Sequence, residues 1–125
     1  MKITEFQGQY RFLSNFYMEP IEYDGLIFSC NEAAFQAMKS LDRAKRAEFA
    51  TLDAYQAKRK GRNIKLRKDW ESVKDDIMYD ICLAKFSQHE YLKNKLLLTG
   101  DAQLIEGNSW GDIYWAFAMT EGKIS

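Results

Sequence analysis

The run Ser29-Cys30-Asn31-Glu32-Ala33-Ala34-Phe35-Gln36-Ala37-Met38-Lys39 starts a helix and gives that helix two unlike faces. At about 100° per residue, Glu32, Phe35, Gln36 and Lys39 fall on one arc, and Ala34, Ala37 and Met38 on the opposite one. The alanine and methionine arc is the natural core face. The other arc gathers a carboxylate, an aromatic ring, an amide and an ammonium, and a solvated helix rarely carries a Phe in the middle of such a set. That arc reads as the wall of a pocket, with Phe35 and Gln36 as candidate contacts for whatever it holds. Ser29-x-x-Glu32 also has capping-box spacing, in which Glu32 folds back onto the Ser29 amide, and spacing alone leaves both readings standing.

Upstream, Ile21-Glu22-Tyr23 and Leu26-Ile27-Phe28 flank Asp24-Gly25, the dipeptide that accepts the positive φ angles of a tight turn, so a small hairpin leads into the helix. Before it, the polar-aromatic run Gln9 to Tyr17 has no clean period and reads as an ordered loop, and residues 2 to 6 read as a strand. Downstream, Ser40 or Asp42 caps a short helix through Phe49, and Thr51 caps another to Lys60 with Gly61 just past its end. Asp69 then caps a long segment in which Trp70, Val73, Ile77, Ile81 and Ala84 recur at three- and four-residue intervals, with Met78, Cys82 and Phe86 widening the stripe. This is the central core helix. A further helix begins near Glu90, carries Leu92, Leu96 and Leu97, and stops at Gly100. Leu104-Ile105 and Ile113 to Met119 read as short strands joined by a turn over 107–111. The expected fold class is mainly α: one compact helical domain over residues 1–125, with a few short β-strands near the N- and C-termini.

The composition, 46% hydrophobic and 29% charged with one proline, is that of a globular chain rather than a disordered or fibrous one. Eighteen basic residues match eighteen acidic ones, so net charge predicts no partner, and any pull on a polyanion has to come from local clustering. Cys30 and Cys82 lack CxxC spacing and His89 is the single histidine, so neither a metal nor another cofactor is expected. His89 sits among Ser87, Gln88 and Glu90 like a helix-end residue, which argues against a Ser-His-Asp or Cys-His nucleophile. Glu5 interrupts the N-terminus where a signal peptide needs an apolar run, and no stretch approaches the roughly 18 apolar residues of a membrane span. The expectation is a reduced, cytoplasmic protein without membrane contact.

Lys58, Arg59, Lys60, Arg62, Lys65, Arg67 and Lys68 crowd around Gly61. A charge run is usually a solvated face. This one, in a neutral chain, also suits a phosphate, with Arg62 and Arg67 preferred because a guanidinium meets phosphate bidentately. Trp70 follows at once, as a large core anchor or as an indole that stacks a nucleobase or ribose at a pocket rim. Farther on, Trp110-Gly111-Asp112-Ile113-Tyr114-Trp115 sets three aromatics around one carboxylate, on a plain reading a strand with a turn carboxylate.

The order of the short motifs resembles the YbiA-like family, also called NADAR, whose members are N-glycosidases acting on ribosyl-nitrogen bonds. The motifs are FLSNFY at 12–17, KLRKDWESV at 65–73 with Met78 and Ala84-Lys85-Phe86, and Asp112-x-x-Trp115; the middle one is the most specific. The resemblance runs through most of the chain. It implies an active site in which Glu32, Lys39 and Asp112 are catalytic and Trp70 and Trp115 bind substrate, with the FLSNFY residues Ser14, Asn15 and Phe16 shaping the pocket. Leu97-Leu98-Thr99-Gly100 and Glu106 also match family positions and read as structural.

The substrate it implies is a phosphorylated ribosyl compound, favoured as ADP-ribose attached to guanine in nucleic acid because the basic run suits a diphosphate and a nearby backbone. Ribosylated pyrimidine intermediates of riboflavin synthesis are the second class. A non-catalytic module that binds ADP-ribose or nucleic acid is the contrasting one. Cleaving a ribosyl-nitrogen bond develops positive charge on the sugar. Glu32 or Asp112 then positions water and offsets that charge, while Lys39 protonates the leaving group or attacks C1 of an opened ribose to form a Schiff base. The sequence leaves these alternatives open. Two positions depart from the family: Ala116 replaces a glycine, and the chain stops at Gly122-Lys123-Ile124-Ser125 where relatives usually continue, so a shortened C-terminal segment is expected.

Overall fold

The computed structural model describes residues 6–98, together with the backbone of two short strands at 2–3 and 103–104. The expected turn over 107–111, the strand from Ile113 and the site candidates Asp112 and Trp115 lie outside the described residues, as do Gly100 and Ala116. Strand β1 (Lys2–Ile3) runs parallel to β4 (Gln103–Leu104), so an early and a late segment of the chain meet edge to edge.

The run read as a loop begins with a 3-10 helix over Gly8–Leu13. Short backbone bonds, Tyr10 N–H to Gln7 O and Ser14 N–H to Arg11 O, both at 3.0 Å, satisfy the main chain while Phe12 and Leu13 go into the core. The hairpin forms as expected, β2 (Ile21–Tyr23) antiparallel to β3 (Leu26–Phe28). Asp24 and Gly25 sit at φ +55° and +72°, the left-handed pair that a two-residue turn demands.

Helix α1 covers Asn31–Ala37 and stops short of Lys39, because its last turn tightens. Lys39 N–H bonds Gln36 O at 3.2 Å, and the Lys39 carbonyl accepts instead from Arg67 N–H at 2.8 Å. Asp42 caps the short α2 (Arg43–Ala47) by accepting from the Ala44 amide at 2.9 Å. That helix ends before Phe49, which turns inward as a fully buried plug. Asp53, not Thr51, caps α3 (Ala54–Gly61): its carboxylate accepts from Gln56 N–H at 2.8 Å and the Gln56 side chain returns the favour to Asp53 N–H at 3.0 Å. Such a reciprocal pair is worth about 1 kcal/mol and outcompetes a lone threonine. Gly61 is the last helical residue rather than the first beyond the end.

The long helix α4 (Trp70–Gln88) is followed by α5 (Glu90–Leu97). Asp69 precedes α4 but does not cap it with its side chain, since that carboxylate is bidentate on Arg67 at 2.6 and 3.0 Å. The core lies on two sides of α4. On one side Met78, Cys82 and Phe86 pack with Phe12, Leu13, Leu92 and Leu96; on the other, Trp70 and Ile81 pack with the α1 alanines, Met38 and Phe49. Each such large side chain, fully buried, contributes about 1.5–3 kcal/mol. Val73 and Ile77 are only half-buried at the second cluster's edge. Where α1 meets α3 the residues are small, with Ala33, Ala34, Ala37, Ala54 and Ala57 in one buried cluster, and Gly61 lies against Gln36. No described helix is long and apolar enough to cross a membrane.

Candidate active site

A cavity of about 1090 Å³ opens where the 14–18 segment, α1, α3 and the start of α4 converge. Of the residues singled out in the sequence, Ser14, Asn15, Phe16, Glu32, Phe35, Gln36, Lys39 and Trp70 all line it. Arg62 does not; it is exposed at the C-terminal cap of α3, although its charge still acts on Lys39.

Glu32 enters the cavity because its backbone has already been served. Its N–H donates to the Asn15 carbonyl at 3.0 Å, which fills an orphan amide of the helix N-terminus from outside the helix. The Asn15 side chain adds a second tie, accepting from Asn31 Nδ2 at 3.0 Å. Cys30, not Ser29, occupies the cap position, and the Ser29 hydroxyl is spent on the Leu52 carbonyl. The capping box suggested by spacing therefore does not form. The carboxylate, 8% exposed, accepts instead from Gln36 Nε2 at 2.6 Å. Gln36 Oε1 has no hydrogen-bond partner among the described residues and lies against Gly61, where a Cβ would fall only 1.9 Å from it.

Burial pushes the Glu32 carboxyl pKa up, against the lowering effects of the Gln36 hydrogen bond and the Lys58 and Lys39 charges. Burial likewise pushes Lys39 down; Glu32 opposes that, and Arg62 and Lys58 reinforce it. A carboxyl and an amine are thus each moved toward neutrality on one cavity wall, the condition for exchanging protons with a substrate.

Trp70 stands both in the core and at the cavity edge. It is 6% exposed and part of the core, yet it borders the cavity with its ring 5.0 Å from that of Phe35, at a tilt of 55°. The basic run, by contrast, disperses. Arg67 is tied down by Asp69 and by the Met38 carbonyl at 3.4 Å, so it anchors the approach to α4 rather than an anion. Lys60 pairs with Glu48 at 2.9 Å. Lys58 alone of the run lines the cavity.

Sequence reasoning missed Arg11, Tyr55 and Lys58 as cavity residues, and it missed Lys85. Lys85 is 1% exposed and donates from Nζ to the carbonyls of Phe12 at 2.5 Å and Ser14 at 3.0 Å, between the rings of Tyr17 and Phe86. It thereby fixes the segment that carries Ser14, Asn15 and Phe16. The signal was present: a lysine four residues after Ile81 falls on the apolar stripe of α4. Lys85→Met keeps the volume but removes the Nζ bonds to both carbonyls, of which that of Ser14 keeps a second donor, the Tyr17 N–H at 3.1 Å, so urea denaturation should show a loss of about 1–3 kcal/mol. An unchanged midpoint would mean that the segment is held by other contacts.

The NADAR domain model matches residues 4–124. The chain is 43% identical over 105 residues to N-glycosidase YbiA of Shigella flexneri serotype 5b (strain 8401), an alignment that takes in 82% of this chain and 65% of that protein. It is also 36% identical over 107 residues to a riboflavin biosynthesis protein of Vibrio vulnificus (strain YJ016), covering 83% of this chain and 29% of that one. The chain therefore spans about 65% of the length of the YbiA relatives it matches. The solved NMR structure of the E. coli protein YbiA superposes with a TM-score of 0.82 at 34% identity, over 98% of this chain and 86% of that one. The mainly helical fold with short strands expected from the sequence is the fold of that structure.

Proposed function

The chain belongs to the NADAR domain family, and from that footing we propose that it is an N-glycosidase that hydrolyses the ribosyl-nitrogen bond of a phosphorylated ribosyl substrate, foremost ADP-ribose attached to guanine in nucleic acid. The observation that carries this reading is the buried Glu32, aimed into the cavity by Gln36 and facing the same space as Lys39. In the hydrolysis, the C1–N bond breaks and a water oxygen bonds to C1. The leaving nitrogen takes a proton while the water loses one. Glu32 as carboxylate orients and deprotonates the water and offsets the charge on the sugar. Lys39, when protonated, supplies the proton to the nitrogen; when neutral, it is a nucleophile toward the C1 of an opened ribose. Phe35 and Trp70 offer ring surface to the sugar and base, and Asp112 and Trp115 belong to the same proposal by family position.

The name of the Vibrio relative favours a second reading, in which the substrate is a ribosylated pyrimidine of riboflavin synthesis. Incubation with ADP-ribosylated guanine DNA and, in parallel, with a phosphoribosyl pyrimidine separates the two: free ADP-ribose is expected from the first. Release of base from the second substrate alone would select the other reading, and binding without release from either would leave a non-catalytic module.

The Gly61 contact supplies a second test of the site. Gly61→Ala gains helix propensity, which offsets only part of the overpacking that its Cβ brings against the buried Gln36 side chain, so a moderate fall in melting temperature is expected. The new Cβ also displaces the Gln36 amide, and Glu32 loses its hydrogen bond. Since that bond lowers the Glu32 pKa, the ionisation seen in the pH profile of kcat/KM should move to higher pH, with activity down about tenfold. A lower melting temperature with an unshifted profile would make Gly61 a packing residue only.

A further inference from the structure

Outward from Glu32 and Lys39, the cavity has a lip of different chemistry. Tyr55 lines the cavity as the second residue of α3, yet it is 71% exposed. It is nevertheless seated from two sides. Its backbone lies within the reciprocal Asp53–Gln56 cap, between the buried Ala54 and Ala57. Its ring meets that of Phe16 edge to face, with centroids 4.9 Å apart and planes at 85°. Phe16 is held in turn, its N–H donating to Ser14 Oγ at 3.1 Å, beside the Ser14 carbonyl that Lys85 grips. An aromatic ring is thus presented to solvent with its orientation already restricted, which reduces the ordering cost of stacking a ligand on it.

Lys58 stands three residues along the same helix, with Nζ 5.7 Å from the Phe16 ring centroid. Its charge also reaches the other way, acting on both Glu32 and Lys39. Read from the interior outward, the wall offers a carboxyl and an amine, then a cation, then an open aromatic ring.

We propose that Tyr55 and Lys58 form a subsite for the distal nucleoside of the substrate, Tyr55 stacking a planar base and Lys58 meeting the phosphates that join it to the ribose at Glu32 and Lys39. The proposal rests on the ribosyl reading of the cavity and narrows it to a nucleoside diphosphate linked to ribose. The departing base cannot be the one on Tyr55, since it is bonded to the carbon that Glu32 and Lys39 act upon. A ribosyl phosphate without a second base would leave Tyr55 unused.

The test is calorimetric binding of ADP-ribose and of ribose 5-phosphate to the parent and to Tyr55→Ala, Tyr55→Phe and Lys58→Gln. Tyr55→Ala should weaken ADP-ribose by roughly five- to a hundredfold while changing ribose 5-phosphate by less than about twofold, and Tyr55→Phe should stay close to the parent. Lys58→Gln should weaken both ligands. The proposal is overturned if Tyr55→Ala binds ADP-ribose like the parent, if it loses both ligands equally, or if the parent binds no ADP-ribose at all. Cleavage of ADP-ribosylated guanine is followed on the same proteins. Tyr55-dependent binding without any cleavage would remove the glycosidase reading and keep the subsite; cleavage with Tyr55-independent binding would do the reverse.

Discussion

Glu32→Gln is expected to lower kcat by roughly 10²- to 10⁴-fold in a protein at least as stable as its parent near neutral pH. The amide still accepts from Gln36 Nε2, so the wall keeps its shape, but it neither takes a proton from water nor offsets positive charge on the sugar. The stability half follows from linkage. Burial raises the folded-state pKa of Glu32 above its value in the unfolded chain, so the folded protein binds that proton more tightly. The associated stability is fully present below the unfolded pKa and is lost as pH rises through the folded one. Gln has nothing to lose there. The melting temperature of the variant relative to the parent should therefore be near zero at about pH 4 and positive at about pH 8. Parental turnover in a well-folded variant would return Glu32 to a structural role. A variant that loses stability toward high pH would contradict the burial cost.

Lys39→Arg is expected to be equally inactive, by at least about 10²-fold, while still binding ADP-ribose. Lys39 is half-buried, and burial together with the Arg62 and Lys58 charges shifts it toward the neutral amine even as Glu32 holds it back. A guanidinium keeps the positive charge but neither gives up a proton nor attacks carbon. Borohydride added during turnover of the parent distinguishes the two chemical roles. A sugar adduct on Lys39 by mass spectrometry establishes the Schiff base, and an inactive arginine variant without any trapped adduct leaves proton donation. An active Lys39→Arg enzyme would sink both.

The elements themselves were legible because they rest on local rules. Asp24-Gly25 marks a turn through φ angles that few other pairs accept, and the stripe through Ile81 to Phe86 marks α4 through its period. The helix ends were misread wherever a partner came from far along the chain. Lys39 looks helical by pattern, but its carbonyl is claimed by Arg67; Asp69 looks like a cap, but its carboxylate goes to the same arginine. Arg67 itself looked like an anion site for want of any sign that Asp69 and Met38 already occupied it. Part of the cavity wall was legible from the two-faced helix and the FLSNFY and KLRKDWESV motifs. The lip was not, because Tyr55 and Lys58 are ordinary residues of a polar helix until Phe16 is folded against them.

Spacing along one chain and side-chain type were enough to locate α1 to α5, though not their ends, and to pick out the arc of α1 that departs from a plain core face. Where the Glu32 carboxylate points, by contrast, depends on contacts across the fold. Its spacing from Ser29 fits a cap as well as a pocket, and the choice turns on whether some other group reaches its amide first. The Asn15 carbonyl does, from a segment held in place by the buried Lys85 of α4. With the backbone donor satisfied, the carboxylate is turned to the cavity and clamped there by Gln36, against a glycine that leaves room for it. A hydrogen bond between segments distant in sequence leaves no periodic trace, so no reading of one chain in order can supply it.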